Sequence, residues 1–391
     1  MGNDKALPPV AYLTIISMVS PIALNILLPA LPDIAVALNA TTSEIQLSLT
    51  LYLFSLAVGQ LLCAPLADRF GRRLVLLIGI AIHFIGCLLG ATAADLNSLL
   101  LARLLQALGG CTGMVLARTI LLDKYARDKA AGKIGYITLA IALSQAIAPA
   151  LGGYINLYYH WQALFYASLL LSSLSWLIVL LAIPETAAYT TDKLQLKPII
   201  RQYITTIKMP DYLGYTLSTT FIACGFYLFI GSAPYIVQQY IGDHSVNFGN
   251  WFLWVSFGFM FGSYIAALVS AKYGVRNMIL VGHCLCALGA VVMLTAITLF
   301  GFHYVTLFLP MALFTIGRGC SQPNSQSAGI STSQGSPSMA SGLTGFIQLT
   351  VGTACVQVTP FILAAHPLWV IVAITLCPVL AFIAYYTTAR E

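Results

Sequence analysis

The chain has 391 residues, 59% hydrophobic and 8% charged, with a net charge of +6. Soluble domains carry roughly 25% charged residues, so a water-soluble enzyme, a nucleic-acid binder and a disordered scaffold are excluded together. What remains is an all-α integral membrane protein, because backbone groups in lipid must be satisfied within helices.

A hydrocarbon core of about 30 Å needs roughly 20 helical residues. Apolar runs predict twelve spans, at 10–31, 44–65, 74–94, 98–122, 134–156, 161–183, 212–236, 247–270, 278–300, 304–325, 339–364 and 367–388. Helix 1 is long enough to span rather than act as a cleaved signal. It holds Asn25 and ends in Leu28-Pro29-Ala30-Leu31-Pro32, with Asp33 just beyond. Ala67-Asp68-Arg69-Phe70-Gly71-Arg72-Arg73 follows helix 2. There Gly71 permits a tight turn, Asp68 can bond neighbouring helix ends, and Arg69 and Arg72 can pair with acids or headgroups, as a latch between the halves. Helix 3 carries His83. Helix 4 places Arg103, Gln106, Gly110 and Met114 on one face by its 3.6-residue period, with Arg118 further on.

In helix 5, Ser144, Ala148 and Gly152 recur every fourth position and allow a neighbouring helix to approach closely. Pro149 lacks an N–H and frees the carbonyl of Gln145, which favours a bend, and Gly152-Gly153 follow. Helix 6 closes with Pro184-Glu185-Thr186. A charged stretch at 184–211 reads as a solvated linker between halves 1–183 and 212–391. Helix 7 holds Tyr227 and Gly231-Ser232-Ala233-Pro234, and Ala271-Lys272-Tyr273-Gly274-Val275-Arg276 after helix 8 echoes the loop after helix 2. His283 lies in helix 9, and Arg318 and Asn324 in helix 10. Residues 319–389 carry no Asp, Glu, Lys or Arg, so the last spans are divided at Gly335-Ser336-Pro337 and His366-Pro367 alone. Nine cysteines, none in CxxC spacing, read as small buried hydrophobes.

Arg69, Arg72, Arg73, Lys124, Arg127, Lys129, Lys133, Lys193, Lys197, Arg201, Lys208, Lys272 and Arg276 fall in alternate connections. The opposite connections hold Asp33, Glu44, Asp95 and Asp243 but no Lys or Arg. The positive-inside rule then predicts cytoplasmic N- and C-termini.

Six plus six helices with this Asp-Arg-Phe-Gly-Arg-Arg loop resemble the major facilitator superfamily. Arg103-Leu104-Leu105-Gln106-Ala107-Leu108-Gly109, Ala148-Pro149-Ala150-Leu151-Gly152-Gly153 and Ala340-Ser341-Gly342-Leu343-Thr344-Gly345 narrow the resemblance to its Bcr/CflA-like drug:proton antiporters. The resemblance implies a twelve-helix bundle of two pseudo-symmetric halves, and alternating access around a central site. It also implies a monomer in a bacterial inner membrane, exporting a small-molecule substrate. It gives Arg103 a role in proton coupling or substrate binding and the helix-5 bend a role in favouring export. Related antiporters often place an acid in helix 1 where this chain has Asn25.

An arginine inside the membrane costs about 2.5–3.5 kcal/mol on insertion scales, so each should face a cavity or a partner. Arg103 either serves the site or anchors helix 4 to helix 1. Arg118 snorkels to the inner interface or lines the cavity, and Arg318 is a cavity cation or a structural contact. No Asp or Glu lies in mid-span. A passage with cations and no acid favours neutral or anionic substrates that hydrogen-bond to groups such as Gln106, Tyr227 and Asn324. Asp33 reads as an outer proton acceptor or a loop acid. His83 and His283 read as titratable sites or neutral hydrogen-bonded residues. No GxxxxGK[ST] loop is present, no cofactor or metal is implied, and a proton gradient is the expected driving force. Expected partners are the substrate and the lipid bilayer, with no nucleic acid and no enzymatic activity. The alternative is a dedicated exporter of an anionic metabolite such as a carboxylate-type siderophore.

Overall fold

The computed structural model describes residues 10–125, 127–187, 196–242, 245–333 and 337–388. Lys193, Asp243, Gly335 and Ser336 lie outside the described residues, as do the side chains of Arg127, Lys129, Lys197, Ala271 and Pro337. The first half comprises α1 (Val10–Asn25), α2 (Leu31–Ala37), α3 (Thr42–Phe70), α4 (Arg72–Ala91), α5 (Leu96–Lys124), α6 (Arg127–Tyr159) and α7 (Gln162–Ala182). A short helix, α8 (Leu196–Ile207), follows in the linker. The second half comprises α9 (Pro210–Ile236), α10 (Ser245–Tyr273), α11 (Val275–Phe300), α12 (Tyr304–Thr332), α13 (Pro337–Ala365) and α14 (Pro367–Thr388). Among the described residues, eleven helical stretches are long and apolar enough to cross a membrane. Leu170, Leu181 and Leu299 are each 75% exposed, a surface suited to lipid and not to water. The bundle end that carries Val10, Lys124 and Thr388 is called here the terminal end, and the opposite one the far end.

Helix 1 was predicted as one run over 10–31, and it breaks. α1 stops at Asn25, a 3₁₀ turn spans Leu28–Ala30, and α2 starts at Leu31. Pro29 and Pro32 cannot donate to the preceding turn, and their rings crowd its carbonyls. The side-chain amide of Asn25 donates to the Pro21 carbonyl at 2.8 Å, so Asn25 helps finish the helix. Elsewhere the helices outrun the apolar runs. α3 continues through Pro65 to Phe70, and α12 continues through Ser325–Thr332. A proline inside a spanning helix is tolerated where neighbouring helices re-satisfy the freed groups, and a last turn outside the hydrocarbon need not be apolar. At the far end, capping boxes at Thr41–Glu44 and Asp95–Ser98 start α3 and α5.

The two halves repeat their packing in register. Gly86 of α4 meets the Ala102 carbonyl and Gln106 N–H of α5, and Gly289 of α11 meets the Pro310 carbonyl and Phe314 N–H of α12. Gly109 meets Gly79 and His83, and Gly317 meets Gly282 and Cys286. Small residues at these seams let backbones touch, as membrane helix pairs require. In the register these contacts define, Met311 stands where Arg103 stands, and Gly110 where Arg318 stands. The duplication therefore conserves the packing and not the arginines.

Candidate functional site

Arg103 is 1% exposed and sits where α5 crosses the break in α1. Its Nη1 donates to the Ala23 carbonyl at 2.9 Å and to Gln106 Oε1 at 2.8 Å. The guanidinium stacks on the Tyr52 ring, 4.0 Å from its centroid. Tyr52 in turn donates to the Ser20 carbonyl at 2.9 Å and accepts from Ser20 Oγ at 2.8 Å. Gln106 donates from Nε2 to Cys87 Sγ at 3.1 Å. His83 donates from Nδ1 to the Gln106 carbonyl at 2.6 Å, which sets its tautomer. These contacts tie helix 4 to helix 1. His83 is fully buried in the α4–α5 seam of the same cluster.

The other two arginines are more open. Met114 packs with Ala23, Tyr52 and Ala107 in a cluster that also takes Leu349 of α13, so this face of α5 looks toward the second half. Arg118 is one turn further along that face and is exposed. Arg318 is half-buried, donates from Nε to Gln322 Oε1 at 2.9 Å, and lies 4.4 Å and 5.1 Å from the Phe226 and Phe259 ring centroids. At 1.5 Å per residue, Arg103, Arg318 and Arg118 lie roughly 10, 21 and 33 Å along their helices from the far end. Among the described residues, none of the three pairs with a carboxylate.

At the far end the halves are drawn together. Gln46 of α3 is fully buried and donates from Nε2 to the Gly231 and Val356 carbonyls at 3.4 and 3.3 Å. Thr50 donates to Gln357 Oε1 at 2.8 Å, and Asn250 to the Tyr154 hydroxyl at 3.3 Å. Gly249 of α10 lies against the backbone of Pro149 and Ala150, and Gly152 against the Ile26 carbonyl at the break in α1. The far-end part of α9, from Ile222 to Val237, is buried apart from Phe226. Hydrogen bonds between the halves among the described residues all lie at this end.

The loop after α3 is expected to latch the two halves together, and in this structure the contacts of its described side chains stay on its own side. Arg72 forms ion pairs with Asp68 and, at 3.3 Å, with Asp123 of α5. Arg73 donates from Nη2 to the Leu180 carbonyl at 2.8 Å, and Arg69 lies over Phe70. All of these partners belong to the first half. Gly71 takes φ 91°, a left-handed conformation that a Cβ resists. Glu185 then caps α4, accepting from the N–H groups of Arg72 and Arg73 at 2.9 and 3.1 Å. Burial pushes the Glu185 carboxyl up, but the N–H donors of Ala187, Arg72, Arg73 and Thr186 outweigh it and hold the group below its ordinary range. A depressed carboxylate stabilises the fold above its unfolded value of about 4.3, and the contribution is lost as pH falls through the lower folded value. Glu185→Gln therefore lowers the melting temperature modestly at pH 7, and the gap to the native protein closes in thermal scans below about pH 4. Exposure of the group keeps the effect small.

The remaining predicted residues scatter. Asp33 is exposed at the start of α2, where Asn156 donates to it. His283 is buried against Ser218, at 3.1 Å, and the rings of Phe382 and Tyr385. Asn324 donates to the Cys320 carbonyl at 2.9 Å, and Tyr227 lies behind Gly352 of α13. Ser144 and Ala148 are buried, and Gln145 is half-buried on the same helix. Gln46, Thr50, Asp123 and Gln357 were not singled out from the sequence. Gln46 and Thr50 are polar residues inside an apolar run, which is the signal that marks them.

The Major Facilitator Superfamily model matches residues 13–356. The chain is 29% identical to the "Bicyclomycin resistance protein homolog" of Haemophilus influenzae, over 97% of this chain and 96% of that one. It is 28% identical to the "Chloramphenicol resistance protein" of Pseudomonas aeruginosa, over 79% of this chain and 73% of that one. Among solved structures, a D-xylose-proton symporter aligns with a TM-score of 0.77 at 14% identity, covering 98% of this chain and 97% of that one. A bacterial homologue of the human lysosomal transporter Spinster, inward-facing and unoccupied, aligns at 0.72 and 14%, covering 97% and 96%. Both show the same fold. This chain thus belongs to the Major Facilitator Superfamily, as a multi-pass membrane transporter of small molecules related to drug-resistance efflux proteins, and not an enzyme.

Proposed function

We propose that the chain is a secondary-active, proton-linked exporter of neutral or anionic small organic compounds in a bacterial inner membrane. α12 supplies the twelfth span, and both termini lie in the cytoplasm, where the basic connections collect. With the far end closed and Arg118 exposed toward the terminal end, the passage opens to the cytoplasm, the side from which an exporter loads. The observation that carries the substrate class is the pair of open cations, Arg118 and Arg318, with no carboxylate among the described residues to neutralise them. In a partly desolvated passage such charges attract anions and repel cations. The drug-resistance names of the relatives support export. Coupling runs through Asp33 or through a proton carried on the substrate's own acid, since His83 is sealed inside a helix seam.

The test uses the purified protein in liposomes with an imposed pH gradient and a labelled carboxylate drug. Gradient-driven substrate movement opposite to the proton flux is expected. Movement indifferent to the gradient would rule out proton antiport.

A further inference from the structure

We propose that α8 forms a binding site for an anionic phospholipid at the terminal-end surface of the membrane. The helix was expected to be solvated chain, but it has one broad apolar face. Tyr203 and, beyond the helix, Met209 pack on Tyr212, Ala340 and Leu343, which docks α8 on the second half. Beside Tyr203, on the same side of the helix, Ile200, Ile204 and Ile207 remain 53%, 48% and 37% exposed. Their spacing places them on one stripe.

A depression of about 470 Å³ lies beside that stripe, lined by Ile200, Arg201, Ile204, Thr205 and Lys208. Its volume is that of a small-molecule site. Two cations stand over an aliphatic floor, and among the described residues neither pairs with a carboxylate. Thr205 already donates its hydroxyl proton to the Arg201 carbonyl at 2.9 Å, so the donors left for a ligand are the two cations. This is the complement of a phosphodiester joined to acyl chains. Arg201 presents a planar fork to phosphate oxygens, Lys208 a point charge, and the isoleucines a surface for the chains. α8 ends three residues before α9 begins, so the site stays beside the end of that span. A short amphipathic helix with basic flanks belongs in the interface plane. A choline headgroup would set its own cation against Arg201 and Lys208, so the site selects anionic lipid.

The test is native mass spectrometry of the full chain in detergent, titrated with phosphatidylglycerol and with phosphatidylcholine. A preference for phosphatidylglycerol of at least about tenfold is expected. Each cation near an anionic surface contributes roughly fivefold in affinity, so Arg201→Gln with Lys208→Gln should cost about thirtyfold for phosphatidylglycerol and little for phosphatidylcholine. Ile204→Glu, which puts a charge on the acyl floor, should weaken both lipids. These side chains lie outside the transport passage, so gradient-driven transport serves as the folding control. Equal binding of the two lipids, or unchanged phosphatidylglycerol binding in the double variant, overturns the proposal. Displacement of the lipid by millimolar inorganic phosphate also overturns it, because the site would then recognise the anion alone.

Discussion

Arg103→Met abolishes transport and lowers stability, while Arg103→Lys retains part of both. The Ala23 carbonyl lies where α1 stops, and Gln106 Oε1 faces the same guanidinium, so methionine leaves two buried acceptors without donors. Each such orphan costs about 1–3 kcal/mol. Loss of the stack on Tyr52 removes a further contribution of about 2 kcal/mol at a desolvated site. Relief from burying a charge offsets part of this, but the anchor between α1 and α5 is lost in either case. Lysine keeps the charge and can reach one acceptor, but it lacks the planar fork that serves both. Melting temperatures and drug efflux of the two variants are the measurements. A methionine variant that melts and transports like the native protein would show that the junction needs no guanidinium.

Gly249→Leu produces the second large effect, and it acts on conformation rather than folding. Gly249 meets the backbone of Pro149 and Ala150 across the boundary between the halves, where neither side has a flexible atom to move. Overpacking of this kind costs about 1–3 kcal/mol. In the alternating-access cycle of the proposed exporter the halves part there in the alternate state, so the cost falls only on the state in which the far end is closed. A penalty confined to one state shifts the equilibrium about tenfold to hundredfold toward the other. Spin labels on the far-end turns of α6 and α10 should therefore report a longer distance, and the transport rate should fall. Gly342→Leu in α13 is the control, because a Cβ there meets nothing within 4 Å. An unchanged far-end distance in the Gly249 variant would mean that the seam has slack the contacts do not show.

The spans were legible because lipid imposes one rule on every backbone group, and apolar runs between charged loops record it directly. Their ends were less legible. The second span was predicted to end at residue 65, yet α3 runs through Pro65 to Phe70, since tertiary neighbours override the local penalty. The prolines at 29 and 32 do break helix 1, and the difference lies in what packs around the break. Arg103 and Gly152 approach the carbonyls around Ala23 and Ile26. The arginines were visible as anomalies, but their roles were not. Arg103, Arg318 and Arg118 look alike in sequence and differ in burial, because exposure depends on which helix lies opposite. α8 was hidden for a related reason. Its charges marked it as solvated, and only the docking of Tyr203 shows that one face is apolar. The Glu185 cap on α4 joins residues more than a hundred positions apart, and a linear reading holds no signal for that pairing.

The open cations in the passage carry the account of substrate class, and they can be tested on binding alone. The measurement is equilibrium binding of matched anionic, neutral and cationic analogues of one drug scaffold, to the native protein and to Arg318→Gln and Arg118→Gln. The account predicts that the native protein prefers the anion over the cation by at least about tenfold, and that each substitution weakens the anion while sparing the neutral analogue. Tighter binding of the cationic analogue by the native protein, or an anion affinity indifferent to both substitutions, would contradict it.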